Sequence, residues 1–512
     1  MSDKSSNKKS IISSTLIVSL LAVFIKFTGL VKQSVLAAYC GATEETDVFF
    51  IVSGVLTSLC GMIFSAISVT ALTIHTDILI SKGRDKSNDY INKVLRCFMP
   101  VAVVITILFI VLAPYIAKFL APTYSSEQIE LMSKYIRMMS VVFVLTCYYL
   151  TVNVVLETDK RFVPRQIQNL FQNIFLIVSA VFVYSRTGVN SLIWSFILSG
   201  LAECILVTWC ARKEFGLIWK KLTTPLSEIK RLYILAIPLI IGSAVYEVND
   251  IVDKQISSSL GEGCVSYLTY GSTINEIVTG VIVMALSTVL FAHFATLVSE
   301  GNKKKIEETL KRSLTFLTIV ILPFLILCTV AGDDIVRIFY ARGNFGENDV
   351  YYTYWVSVGY AIGFIFSSYR AIMVKVLYAF KDTRGAMKNG IFSVVINITL
   401  SIVLSRFIGV WGISLATSIA MLFSVLFMAH QIRVHLPLYT IIGDKTELVK
   451  GSFAFLCSGS LVFLLSFINI ENTYIDLTIK GVACIFSYLL MLAIFKSSST
   501  KFLFEIIRTK RL

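Results

Sequence analysis

The feature that most constrains this chain is the recurrence of long apolar runs from one end to the other. Each run holds about twenty residues, the length that an α-helix needs to cross a hydrocarbon core of roughly 30 Å. The 512 residues are 56% hydrophobic and only 15% charged, which is more apolar surface than a soluble domain can bury. Because a lipid-exposed backbone must satisfy its own hydrogen bonds, these runs predict an all-α polytopic membrane protein.

The runs predict about fourteen transmembrane helices, and the connections between them predict the topology. The expected spans are 11–38, 46–74, 94–121, 133–157, 166–185, 190–211, 232–257, 266–298, 313–334, 352–379, 387–405, 409–432, 451–469 and 473–495. Lysine and arginine concentrate in the even-numbered connections and at both termini, whereas the odd-numbered connections are nearly bare. By the positive-inside bias, both termini are expected in the cytoplasm. The net charge of +14 therefore reflects topology, and no nucleic-acid partner is expected.

The chain also matches itself at an offset of about 222 residues. The segment VKQSVLAAYCGA matches DKQISSSLGEG, which aligns Lys32 with Lys254. A second match places the loop DKRFVPR on the loop KDTRGAMK and pairs Asp159 with Asp382. Two separated matches at nearly one offset indicate a long internal repeat.

The repeat predicts the domain organisation. Residues 1–231 would form an N-terminal lobe of six spans, residues 232–450 a C-terminal lobe of six spans, and residues 451–512 two additional spans and a basic cytoplasmic tail. An offset of six spans keeps both lobes in the same orientation, so they would be parallel repeats. That arrangement favours alternating access to a site between the lobes.

Ionisable residues inside spans are costly and usually face a cavity or one another. The seventh span carries a polar stripe at intervals of four, three and four residues, so its members share one helix face. The stripe is Ser243, Glu247, Asp250 and Lys254, with Asn249 and Asp253 beside it. These charges either pair with one another for structural reasons or line a cavity, and the second interpretation is favoured because the repeat also carries Lys32.

Further polar residues extend this pattern. In the eighth span, Thr269, Thr273 and Glu276 share a face, which indicates either hydrogen bonding between helices or the opposite wall of the same cavity. In the tenth span, Arg370 lies deep enough to need a partner.

No catalytic or metal site is expected. The chain contains no P-loop, no GxSxG and no HExxH sequence, and its ten cysteines are scattered without a CxxC pair. The sequence therefore predicts a transporter rather than an enzyme, without a cofactor. Because no Walker A sequence is present, an ion gradient, the membrane potential or the substrate gradient would have to drive transport.

Several segments resemble the MurJ/MviN family of lipid II flippases within the multidrug/oligosaccharidyl-lipid/polysaccharide exporter superfamily. They are GLVKQSVLAAYCGATEETDVFF, DIVDKQISSSLGEGCVSYLTYG, IVRIFYARGNFGENDV, KVLYAFKDTRGAMKNG and GVWGISLATS. They keep order and spacing over nearly the whole chain and match family patterns such as TDAFF, RGxF and FYAxxDTR. Asp47 lies in the first of these patterns, at the outer mouth of the second span.

This chain also departs from the family pattern in places where the family carries basic residues. Lys32–Gln33 replaces an arginine followed by an acid. Cys60 and Ser65 occupy the places of the family's arginine-bearing segment and of the EGA motif that follows it, and Thr273 replaces a basic residue. The family's strongly cationic cavity suits a pyrophosphate headgroup. The loss of cations here leaves open whether this chain moves lipid II or another lipid-linked saccharide.

The resemblance implies an alternating-access flippase in the bacterial plasma membrane, which moves an undecaprenyl-linked cell-wall precursor of peptidoglycan synthesis from the inner to the outer leaflet. Two alternatives remain: a flippase for capsule, O-antigen or teichoic-acid units, and a cation-coupled drug antiporter. The expected substrate-binding residues of the central cavity are Lys32, Asp47, Glu247, Asp250, Lys254, Thr273, Glu276 and Arg370. The candidates for ion coupling are Glu247, Asp250 and Asp253. The expected partners are the lipid-linked saccharide and the bilayer, with no prediction of oligomeric state.

Overall fold

The computed structural model describes residues 2–212, 226–436, 444–468, 470 and 472–497. Within these ranges the regular structure is helical throughout, with nineteen α-helices and one π-helical segment, Gly61–Ser65, between α2 and α3. The helices are α1 Ser2–Cys40, α2 Glu44–Cys60, α3 Ala66–Lys82, α4 Arg84–Leu120, α5 Ser126–Met139, α6 Val142–Thr158, α7 Val163–Phe182, α8 Tyr184–Thr187, α9 Val189–Ala211, α10 Leu226–Ser258, α11 Cys264–Ser299, α12 Lys303–Val330, α13 Gly332–Tyr340, α14 Glu347–Ile362, α15 Phe364–Ala379, α16 Thr383–Ile408, α17 Trp411–His435, α18 Lys445–Leu465 and α19 Thr473–Ile494. The all-α prediction is confirmed.

Every one of the fourteen predicted spans coincides with a helix or with helices that follow one another directly. In the described part of the chain, eleven helical stretches are long and apolar enough to cross a membrane, and a twelfth forms if α14 and α15, bent by 42°, count as one span. The other two predicted spans coincide with α7 and α11. The first half of α7 is unusually polar for a span, because it carries the sequence RQIQNLFQN.

Backbone geometry supports the internal repeat and corrects one of its alignments. Lys160 and Lys381 both adopt φ 61°, a left-handed conformation uncommon outside glycine. Asp159 caps the C-terminus of α6, whereas Asp382 caps the N-terminus of α16. Since the two lysines are the structural equivalents, the predicted pairing of Asp159 with Asp382 is wrong by two residues.

The chain divides into two compact units, residues 1–266 and 267–512. In the first unit, α10 packs against α2, α3 and α4. Two ion pairs hold its first turns to the end of α3: Arg231 Nη2 lies 2.9 Å from Asp77 Oδ2, and Lys82 Nζ lies 3.2 Å from Glu228 Oε1. The predicted lobes at 1–231, 232–450 and 451–512 follow the sequence repeat, a different criterion, and stay a prediction.

In the second unit, α18 and α19 pack against α12 around a small apolar cluster that includes Ile319 and Tyr488. A buried ion triad adds to this contact. Lys480 Nζ of α19 lies 2.6 Å from Asp334 of α13 and 2.6 Å from Asp476 of its own helix. The two spans outside the repeat are thus anchored to their unit by both apolar packing and charge.

Candidate functional site

Two pairs of side chains in the predicted polar stripe on α10 are bonded to each other within the helix. Lys254 Nζ lies 2.5 Å from Asp250 Oδ2, and Asn249 donates to Asp253 Oδ2 at 3.1 Å. The i,i+4 spacing places each pair one above the other on the helix. The Asp250 side chain nevertheless remains 48% exposed, so a ligand could still reach it while it is paired with Lys254.

Glu247 differs from the other charged residues of the stripe. Its side chain is half-buried, and within the described residues its carboxylate forms no hydrogen bond or ion pair. α10 is continuous through Pro238 from Leu226 to Ser258. Glu247 therefore lies on a continuous helix without a side-chain partner among the described residues.

Lys254 extends from α10 to the surface of α2 and lies against Gly54. A Cβ atom at Gly54 would lie 2.8 Å from Lys254 Cε and would collide with Nζ. The lysine side chain thus occupies the space that a larger residue at position 54 would fill. Sequence analysis did not identify Gly54, because its contact with Lys254 joins residues 200 positions apart.

Asp47 lies in the first turn of α2, which Thr43 caps by accepting from Thr46 N. Its side chain is wholly buried. One carboxylate oxygen accepts from the backbone N–H of Ser266 at 2.8 Å and from the Ser266 hydroxyl at 2.6 Å. This carboxylate is therefore engaged by the protein itself, at the first turn of α11, where the helix dipole favours a negative charge.

Lys32 lies on α1, partly buried beside the buried Gln33. Asp253 is buried and accepts a hydrogen bond from Asn249, and both residues lie beside the stripe. In the first unit the structure therefore brings Lys254, Asp250 and Gly54 together, and holds Asp47 by a separate contact.

The second unit contains three of the predicted site residues, Thr273, Glu276 and Arg370, and Thr273 and Arg370 are hydrogen-bonded within that unit. Thr273 donates to the carbonyl of Thr269 at 2.8 Å, and Glu276 is exposed on α11. Arg370 on α15 is half-buried, and its Nε donates to Asn389 Oδ1 at 3.4 Å. The guanidinium of Arg370 thus has a polar partner on α16.

The first unit also contains a polar cavity that sequence analysis missed. Its volume is about 280 Å³, and it lies between α2, the π-helical segment, α6, α7 and α9. The described lining residues are Thr57, Cys60, Gly61, Ser65, Val142, Leu145, Thr146, Tyr149, Leu150, Arg165, Gln166, Gln168, Asn169, Gln172, Phe196, Ser199 and Gly200. The available signal was the run of amides and one arginine in α7, since such residues are rare in a span unless they face a cavity.

The family model described as lipid II flippase MurJ matches residues 36–482. A probable lipid II flippase MurJ of Rhizobium tropici is 25% identical over 456 residues, covering 85% of this chain and 84% of the relative. The corresponding protein of Thermotoga maritima is 25% identical over 461 residues, covering 89% of this chain and 90% of the relative.

Solved structures show the same fold. The structure described as lipid II flippase MurJ in an inward closed conformation has a TM-score of 0.80 at 22% identity and covers 94% of this chain and 98% of its own. An inward-facing multidrug transporter of the MATE family has a TM-score of 0.69 at 11% identity and covers 82% of this chain and 98% of its own. Since the family model matches most of the sequence, this chain belongs to the MurJ family of lipid II flippases.

Proposed function

We propose that this chain moves lipid II, an undecaprenyl-linked precursor of peptidoglycan, from the inner to the outer leaflet by alternating access. The chain is a multi-pass protein of the inner membrane and a transporter rather than an enzyme. The observation that carries the proposal is the family match over residues 36–482. The internal repeat supports alternating access, because duplicated lobes can rock about a central site.

The proposed contacts to the pyrophosphate are three cations predicted from the sequence, Lys32 and Lys254 in the first unit and Arg370 in the second. A cation donates strong, charge-assisted hydrogen bonds to phosphate oxygens. Lys254 is the best placed of the three, because Asp250 and the gap at Gly54 fix the direction of its side chain. Thr273 and Glu276 would bond sugar or peptide groups. Asp47 is wholly buried and bonded to Ser266, so it would hold α2 to that residue rather than contact the headgroup.

The proposed driving force is an ion gradient or the membrane potential. Glu247, Asp250 and Asp253 are the candidates for binding the coupling ion. Glu247 is the strongest of these, since its carboxylate has no ion-pair partner among the described residues. Both termini are proposed to be cytoplasmic, from the distribution of lysine and arginine in the connections.

Complementation tests this function. In cells depleted of their own lipid II flippase, the wild-type chain should restore growth and the appearance of lipid II in the outer leaflet. Lys254→Ala and Lys32→Ala should abolish rescue at normal membrane levels, whereas Lys118→Ala, which removes an exposed lysine at the end of α4, should rescue fully. Full activity of the Lys32/Lys254 double variant would refute the site.

A flippase for capsule, O-antigen or teichoic-acid units is the second candidate. It is favoured by the neutral side chains Cys60 and Thr273, which stand where the resemblance places basic residues in the family. In the same cells, failure to rescue lipid II translocation, together with restored export of an accessory polysaccharide, would establish this alternative.

A drug-susceptibility panel on a deletion strain tests the cation-coupled antiporter, for which increased sensitivity to organic cations is expected.

A further inference from the structure

None of the predicted substrate-binding residues lines the cavity of the first unit. The residues that line it come from the segments 57–65, 142–150, 165–172 and 196–200. Neither Lys32 nor Lys254 is among them, and neither is any member of the α10 stripe. The proposed phosphate contacts therefore leave this cavity without an assigned ligand.

The cavity is large, and amide and hydroxyl side chains contribute to its lining. At about 280 Å³ it equals roughly nine water molecules at about 30 Å³ each. Most of its polar lining consists of neutral amides and hydroxyls, including Gln166, Gln172, Thr146 and Tyr149. Burying such groups against hydrocarbon without hydrogen bonds is costly, so this lining suits a polar occupant better than a lipid tail.

Two of the amides have their hydrogen-bonding capacity available. In the part of the chain that the structure describes, the side-chain amides of Gln166 and Gln172 form no hydrogen bond, although both are half-buried. Gln168, by contrast, donates to the hydroxyl of Tyr149. Both amides can therefore donate to and accept from a molecule that enters the cavity.

The charge of the cavity favours a neutral ligand. Arg165 is the one cation among the described lining residues. Its Nη1 lies 3.1 Å from Glu157 Oε1 and also donates to the hydroxyl of Ser68 at 3.3 Å. Since the guanidinium is already paired with a carboxylate, the cavity lacks the surplus positive charge that a phosphate group would require.

We infer that this cavity binds a neutral sugar residue of the transported headgroup. Each amide offers both donors and an acceptor, which matches the hydroxyl groups of a sugar, and the ring of Phe196 offers an apolar surface to a sugar face. The π-helical segment Gly61–Ser65 forms part of the wall, and such segments often mark functional sites. This inference rests on the proposed function, because it assigns part of the same substrate.

Binding of two short-chain probes to the full-length protein in nanodiscs tests the inference. The probes are farnesyl pyrophosphate and the same lipid carrying N-acetylglucosamine on its pyrophosphate. The wild type should bind the glycosylated probe about tenfold more tightly, which corresponds to about 1.4 kcal/mol. Gln166→Leu and Gln172→Leu together should remove that preference and leave the affinity for farnesyl pyrophosphate unchanged.

The variants should fold, because neither amide is bonded to another described side chain. Asn190→Leu, which removes an amide of the same unit outside the cavity, should keep the preference for the glycosylated probe. Equal binding of both probes by the wild type, or an undiminished preference in the double variant, would overturn the sugar site while leaving the flippase intact. If neither probe bound, the lipid-linked substrate itself would be refuted and the sugar site with it.

Discussion

Substitution of Gly54 by alanine tests whether the position of Lys254 determines substrate binding. The new Cβ would lie 2.8 Å from Lys254 Cε and 3.5 Å from Cδ, and would collide with Nζ. Since the colliding atoms are the far end of a flexible side chain, the lysine can move away without a backbone shift. Gly54→Ala should therefore fold normally while displacing the ammonium group from the surface of α2.

The expected magnitude follows from the contacts that are lost. The ion pair with Asp250 contributes at most about 1 kcal/mol to stability, because Asp250 is half-exposed. Replacing glycine within a helix by alanine stabilises the helix by roughly 1 kcal/mol. The two effects offset each other, so the free energy of unfolding should change little. A hydrogen bond to a charged group is worth about 1.5–3 kcal/mol, so loss of the Lys254 contact to phosphate should weaken binding roughly ten- to hundredfold.

Affinity for farnesyl pyrophosphate, measured in nanodiscs, should fall by that factor in Gly54→Ala. Gly242→Ala is the matched control, since a Cβ at Gly242 of α10 meets nothing within 4 Å. The two substitutions Gly54→Ala and Lys254→Ala should not be additive, because they act on one contact. Wild-type affinity in Gly54→Ala, or a further full loss when it is added to Lys254→Ala, would refute this reasoning.

Three predictions concern buried or capping charges, each measured by thermal unfolding of the purified protein. Asp47→Ala should lower the unfolding free energy by about 1–3 kcal/mol, because the buried backbone N–H of Ser266 loses its acceptor; an unchanged melting temperature would contradict this. Lys480→Met should lower the unfolding free energy by about 3 kcal/mol, because the buried Asp476 and the partly buried Asp334 lose their cation; an unaltered unfolding free energy would show that neither carboxylate depends on Lys480. Asp382→Ala should cost about 0.5–2 kcal/mol by removing the N-cap of α16. The hydrogen bond to His435 lowers the pKa of Asp382, so the contribution of this carboxylate is present above the ordinary carboxyl pKa and is lost as pH falls through the lowered value; an Asp382→Ala deficit that persists at low pH would contradict it.

The helical architecture could be predicted from sequence because its determinants are local. A run of about twenty apolar residues specifies a span wherever it occurs. The intervals between Glu247, Asp250 and Lys254 specify a shared helix face in the same way, and the Lys254–Asp250 contact at 2.5 Å follows directly from that spacing. Local periodicity therefore predicted both the helices and the internal order of the stripe.

Contacts between distant segments could not be predicted in this way. The partner of Asp47 lies 219 residues away at Ser266, and the space for Lys254 depends on a glycine in α2. Nothing in the local pattern distinguishes Gly54 from a glycine that faces lipid. The repeat was found, but its second alignment was displaced, because matching Asp159 with Asp382 by residue type ignored which end of a helix each one caps.

The polar cavity and the α10 stripe together suggest a division of recognition within the first unit. Phosphate is a charged group common to all undecaprenyl-linked saccharides, so cations such as Lys254 select the class of lipid and not the sugar. Neutral amides such as Gln172 discriminate between hydroxyl patterns, because a site built to bond a particular hydroxyl leaves its own polar groups unpaired when that hydroxyl is absent. If this chain differs from its relatives in the saccharide it moves, the determinant is therefore expected among the cavity residues of α7 and not among the charges of α10.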